Sequence, residues 1–194
     1  MSGYSDFSKC TICRSIFCLN NYRGKYKVTL AINTMYLIVM NYNERKEEII
    51  KNEAMRRDIE KKVVNWLNER GIIITHDSTD PKSAPNPFSN EKVIINLRNG
   101  LAHLHVRVIG EPSGKIEQVK IWVTPWAKED KKQYGTFDDG AAGIKDAMCI
   151  FAFSPKELRA FINFFANVLL EHIRVDPNKC NCEACNKGRL IKKE

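Results

Sequence analysis

No stretch of this sequence is long and apolar enough to cross a bilayer. The longest apolar run, residues 28–40, falls short of the roughly 20 residues a spanning helix needs and contains Asn33 and Thr34. The first residues show no charged segment followed by an apolar one, so no secretory signal is expected and the cytoplasm is the expected location. There is no internal repeat and no low-complexity tract, which excludes solenoids and arrays. An even cysteine framework is also missing. The seven cysteines, in a chain expected in a reducing compartment, read as thiols or metal ligands rather than disulfides.

What is present is an ordinary globular composition. The hydrophobic fraction of 43% over 194 residues supports one domain with a real core and a small appendage. The formal net charge is +8. That excess favours anionic partners such as nucleic acid or an acidic membrane surface. Charge alone does not choose a partner, because solvated helix faces account equally well for many of the lysines.

Hydrophobic spacing predicts helices over residues 5–20 and 26–41, and a long charged helix over 44–70 with Ile49, Ile59, Val63, Trp66 and Leu67 inside and Gly71 as its C-cap. Residues 75–89 are rich in turn signals. A further helix carries Val93, Ile94, Leu97, Leu101 and Leu104 on its core side. Two alternating segments, 105–109 and 115–124, then flank a glycine-containing loop and predict a β-hairpin. Residues 128–143 read as a polar loop. Ser154, Pro155 and Glu157 have the form of a capping box with proline at the first helical position, opening a helix that runs to about residue 174 with Leu158, Phe161, Ile162, Phe165, Val168 and Leu169 inward. A cysteine-rich basic tail, residues 175–194, follows.

Arg98, Asn99 and His103 carry the chemistry. Asn99 and His103 stand four apart and share one helix face, with Arg98 about 100° round from Asn99. One short segment thus presents a cation, an amide and an imidazole. RNA brings its own nucleophile, the ribose 2′-hydroxyl. An imidazole can take that proton or protonate the leaving 5′-oxygen. A guanidinium can pair with two phosphate oxygens, and an amide can orient the phosphate or the imidazole.

This segment resembles the HEPN family, whose nucleases carry an arginine, a polar residue and a histidine near the end of a bundle helix. Residues 27–33, the hairpin after the motif, Trp122 in its second strand and the closing helix over 157–170 are similar to a plasmid-associated HEPN subfamily. The resemblance spans most of residues 1–174. It implies a mainly α fold, an antiparallel HEPN-type helical bundle with a β-hairpin at about 105–124 inserted after the motif helix. It also implies a homodimer and RNA cleavage without a catalytic metal, leaving a 2′,3′-cyclic phosphate. One His103 does not readily serve as both acid and base, and a two-fold dimer would supply a second copy at a composite site. Some relatives have a tyrosine two residues after the histidine, a target of a partner nucleotidyltransferase. Here that position is His105, read as the start of a strand, with assistance in catalysis as the alternative.

Two cysteine pairs, Cys10 with Cys13 and Cys182 with Cys185, have metal-ligand spacing and could hold a structural zinc, with Cys180 near the second. The first pair also fits a helix core, as do Cys18 and Cys149. Trp66 and Trp122 read as core. Trp126 is the candidate for base stacking, with Lys128, Lys131 and Lys132 beside it for the phosphate backbone. The function expected is a metal-independent endoribonuclease, a toxin or antiviral effector held by a cognate antitoxin or inhibitor. The alternatives are a catalytically silent HEPN module that binds RNA or protein, and a zinc-stabilised interaction protein.

Overall fold

The computed structural model describes residues 3–49, 53–75, 90–126, 128 and 136–172. Its helices are α1 Gly3–Asn21, α2 Lys27–Ile49, α3 Glu53–Asn68, α4 Asn90–Ala102 and α5 Pro155–His172. Its strands are β1 Ile73–Thr75, β2 Val106–Gly110, β3 Ile116–Val123, β4 Phe137–Asp139, β5 Ile144–Ala147 and β6 Cys149–Phe153. The fold is mainly α, with small antiparallel sheets. No described helix is long and apolar enough to cross a membrane. The turn-rich segment 76–89 and the tail from residue 173 onward, with Cys180, Cys182 and Cys185, lie outside the described residues.

The chain divides into two compact units, residues 1–59 with 158–194, and residues 60–157. The first is helical. Ile12, Ile16 and Leu19 bury one stripe of α1, and Ala31, Met35, Ile38, Val39 and Tyr42 one stripe of α2. Cys18 is not a core residue, contrary to the sequence expectation. It lies about 200° round the helix from Ile16 and is exposed. Tyr42 meets Phe165 of α5 edge-on at 5.7 Å, and Phe161 stacks on Phe165 at 5.9 Å. Arg159 donates to the carbonyls of Leu19 and Asn20, each at 3.2 Å, so α5 supplies donors to the end of α1, where carbonyls lack helical partners.

The expected separation of a helix over 26–41 from one over 44–70 is absent, because α2 runs unbroken through residues 42 and 43 to Ile49; α3 covers Glu53–Asn68, and residues 50–52 between them lie outside the described residues. Glu53 stands in the first turn of α3, where a negative charge suits the helix dipole, and Arg57 pairs with it at 2.9 Å. The capping box forms as read. The Ser154 N–H donates to Glu157 Oε2 at 2.8 Å, and the Glu157 N–H donates to Ser154 Oγ at 3.2 Å.

In the second unit, α3 ends in a Schellman motif. The Ile72 N–H reaches the Leu67 carbonyl, the Gly71 N–H reaches that of Asn68, and Gly71 has φ +60°. The chain passes directly into β1. The sheet order is β1-β6-β3-β2, all antiparallel, so the β2–β3 pair is one side of a four-stranded sheet rather than a free-standing hairpin. Inner strand β6 is buried at every residue. Burial there pushes the Cys149 thiol well above its usual range, and it remains a neutral core group. The segment read as a polar loop, 128–143, contains β4, which pairs with β5. Two side chains of the larger sheet brace this pair. Lys120 forms an ion pair with Asp139, whose carboxyl it holds below the usual range, and Arg107 donates to the Ala142 carbonyl.

Candidate active site

Helix α4 buries Val93, Ile94, Leu97 and Leu101, which turns Asn99 and His103 away from the core. Leu104, expected on the core side, is 83% exposed. The reason is that the helix has already ended. The His105 N–H donates to the Gly100 carbonyl at 2.9 Å, and the Leu104 N–H to that of Leu101 at 3.1 Å. This is a second Schellman turn, with leucine at the left-handed position, φ +57°, where glycine is usual. A side chain there costs about 1–2 kcal/mol. His103 is therefore the last residue before the turn and His105 the first after it. The backbone then enters β2, and the Trp122 N–H of β3 donates to the His105 carbonyl at 3.1 Å.

Gly100 sets how closely α4 approaches β3. A Cβ added there would lie 2.7 Å from Ile121 Cγ2 and 2.8 Å from the Trp122 carbonyl oxygen. Only a residue without a side chain allows this approach. The Trp122 ring then stacks flat on His105, centroids 5.2 Å apart and planes at 9°.

Asn99, His103 and His105 line a cavity of about 280 Å³ together with Val123, the last residue of β3, and residues 124–126, which follow it. The His103 ring is 5.9 Å from that of His105 and meets the Trp126 ring edge-on at 5.0 Å. Arg98 is half-buried and does not itself line the cavity. It reaches the cavity through Asn99, donating from Nη1 to Asn99 Oδ1 at 3.2 Å. Occupying Oδ1 leaves Asn99 its amide hydrogens as donors. The grouping sets an amide donor, two imidazoles and an exposed indole around one space, with a guanidinium bonded to the amide behind it.

The family model described as HEPN pEK499 p136 matches residues 1–175. The chain belongs to this family. Membership points to a nuclease or an RNA-binding module. No curated protein and no solved structure matches the chain.

Within this HEPN chain, the other sequence-level candidates divide. Trp126 is 65% exposed at the cavity and Lys128 is exposed. Lys131 and Lys132 lie outside the described residues. Trp66 is only half-buried, with the Arg70 guanidinium over its ring at 4.1 Å, and Trp122 packs against the sheet's buried cluster. Cys13 is buried against Cys10 and Leu170. A structural zinc would also need Cys182 and Cys185, outside the described residues. His172 pairs with Asp58 at 3.4 Å and is not among the residues that line the cavity. The residues that sequence reasoning did not assign to the site are Val123, Thr124, Pro125 and, as a cavity residue, His105. The signal for His105 was its place two residues after His103. Thr124 and Pro125 could be located only once the register pairing Val106 with Ile121 was known.

The close approach at Gly100 gives a sign test. In an ordinary helix interior, Gly→Ala stabilises by about 1 kcal/mol. Gly100→Ala is expected instead to destabilise by about 1–3 kcal/mol, because the added methyl meets a strand backbone that cannot move aside locally. Urea unfolding of the purified variant checks this, and a stabilised variant would mean α4 does not rest on β3 as described.

Proposed function

We propose that this chain is a metal-independent endoribonuclease that cleaves RNA by attack of the ribose 2′-hydroxyl on the adjacent phosphate, leaving a 2′,3′-cyclic phosphate and a 5′-hydroxyl. The observation that carries this reading is the shared cavity of Asn99 and His103, with Arg98 bonded to Asn99 beside it. An imidazole moves a proton on or off the reacting oxygens near neutral pH. Arg98 and the Asn99 amide meet the charge that builds on the phosphate. Trp126, exposed at the mouth, supplies a face for an unpaired base, and Lys128 lies near it in sequence for the backbone. Lys131 and Lys132 would extend that contact. A toxin or antiviral effector, restrained by a cognate inhibitor, is the role the family resemblance suggests for such an activity. A silent binding module has no need of Asn99 and His103 at one cavity with Arg98 bonded to Asn99 beside it.

The test is cleavage of single-stranded RNA in the presence of EDTA. His103→Ala is expected to lose about 10²–10⁴-fold in rate while remaining folded. Arg98→Ala is expected to lose about 10²–10³-fold. Arg98→Lys should recover little, since a point charge does not replace a planar fork. His172→Ala, whose ring pairs with Asp58, should cleave normally. Unchanged cleavage by His103→Ala would remove the histidine from the chemistry.

A homodimer is part of the proposal. It would set two copies of the motif segment against one substrate. Light scattering at micromolar concentration is expected to give twice the chain mass of 22.3 kDa. A fully active species at the single-chain mass would remove the dimer from the mechanism.

A further inference from the structure

We infer that His103 and His105 form the acid–base pair of RNA cleavage within one subunit; this rests on the ribonuclease reading and deepens it. The sequence-level expectation took the second imidazole from His103 of the partner subunit, because the motif itself contains one histidine. Yet one chain sets two imidazoles 5.9 Å apart on the lining of one cavity.

Three observations support the pairing. The two residues flank the turn that ends α4, and their separation is held by that turn's hydrogen bonds to Gly100 and Leu101. The turn runs through Leu104 in a left-handed conformation, and a bulky residue persists there only where its surroundings over-determine it, a common property of functional sites. The two rings also have different supports. His105 is half-buried and stacked flat on Trp122, whereas His103 is exposed and meets the Trp126 ring edge-on. A histidine needed only to begin β2 would gain nothing from facing the cavity. The rest of the lining holds Asn99 and residues 123–126, none of them ionisable.

The step balances with this pair alone. The neutral imidazole takes the 2′-hydroxyl proton as the 2′-oxygen forms its bond to phosphorus. The bond from phosphorus to the 5′-oxygen breaks, and the imidazolium of the other ring gives its proton to that oxygen. No metal, oxidant or further reactant enters. The pair returns to its starting charge once one proton passes back through solvent or through hydrolysis of the cyclic phosphate.

The experiment compares wild type, His105→Phe and His105→Ala in EDTA, across the pH range over which imidazole titrates, on a short RNA. Phenylalanine keeps a ring on Trp122 and removes the proton carrier, so a purely structural His105 would tolerate it. The wild type is expected to give a bell-shaped profile. His105→Phe is expected to lose about 10²–10⁴-fold and one limb of the bell, with an unchanged melting temperature. Added imidazole should partly restore His105→Ala, which gives a second readout should His105→Phe not fold. A substrate with sulfur at the 5′-bridging position needs no acid to leave. It should rescue either His103→Ala or His105→Phe but not both, and so identify the acid. Mixing His103→Ala with His105→Phe should stay inactive, because neither subunit holds an intact pair; restored cleavage would overturn the placement within one subunit. Cleavage by His105→Phe within a few-fold of wild type, with the bell intact, would overturn the pair and leave the ribonuclease reading standing. A wild type that forms no cyclic phosphate would overturn both.

Discussion

The contact on which the site depends is the approach of α4 to β3 at Gly100. There a helix backbone and a strand backbone come closer than any side chain would allow, with the Trp122 carbonyl 2.8 Å from where a Cβ would stand. The apolar stripe of Val93, Ile94, Leu97 and Leu101 presses the helix inward, and the missing side chain at Gly100 decides how far it goes. Each element of the cavity then follows. Asn99 and His103 project from the far side of the same helix. His105 leaves the turn directly over Trp122, and residues 124–126 leave β3 beside them.

The end of α4 shows a cost accepted for placement. Helix α3 ends with the same turn and uses glycine at the left-handed position, whereas α4 uses Leu104, exposed and strained. Stability alone would favour glycine there. A side chain at that position also narrows the conformations open to the turn, and a stiffer turn suits the proposed pairing of the two imidazoles that flank it. The ion pair of Lys120 with Asp139 and the bond from Arg107 to the Ala142 carbonyl brace the far side of the β2–β3 pair in the same sense.

Much of this could be read from the sequence because the deciding signals are local. The capping box at Ser154 and Glu157, the C-cap at Gly71 and the inward face of α5 each depend on residues within a turn or two of one another. The motif was legible for the same reason, since Asn99 and His103 share a helix face by spacing alone. What escaped was non-local. β6 is an unbroken apolar run with no alternation, the pattern of a strand buried on both faces, and it reads equally as helix core. β1 has three residues and is a strand only because β6 lies beside it. Leu104 was read as core because its spacing fits the helix, and nothing in the spacing records that the helix stops at Ala102. His105 was read as the start of a strand for a similar reason. Its carbonyl does bond to β3, but its ring faces the cavity, which only the turn reveals.

The central claim is that the substrate supplies its own nucleophile and these side chains move its protons. The most direct measurement uses two RNA oligonucleotides of one sequence, the second carrying a single 2′-deoxy nucleotide at the position cut in the first. Both are incubated with wild-type protein in EDTA, and the product ends are identified by mass. The first is expected to be cut to a 2′,3′-cyclic phosphate, and the second to stay intact at that position. Cleavage at the deoxy position, or cleavage of either only after magnesium is restored, would contradict the mechanism derived for this cavity.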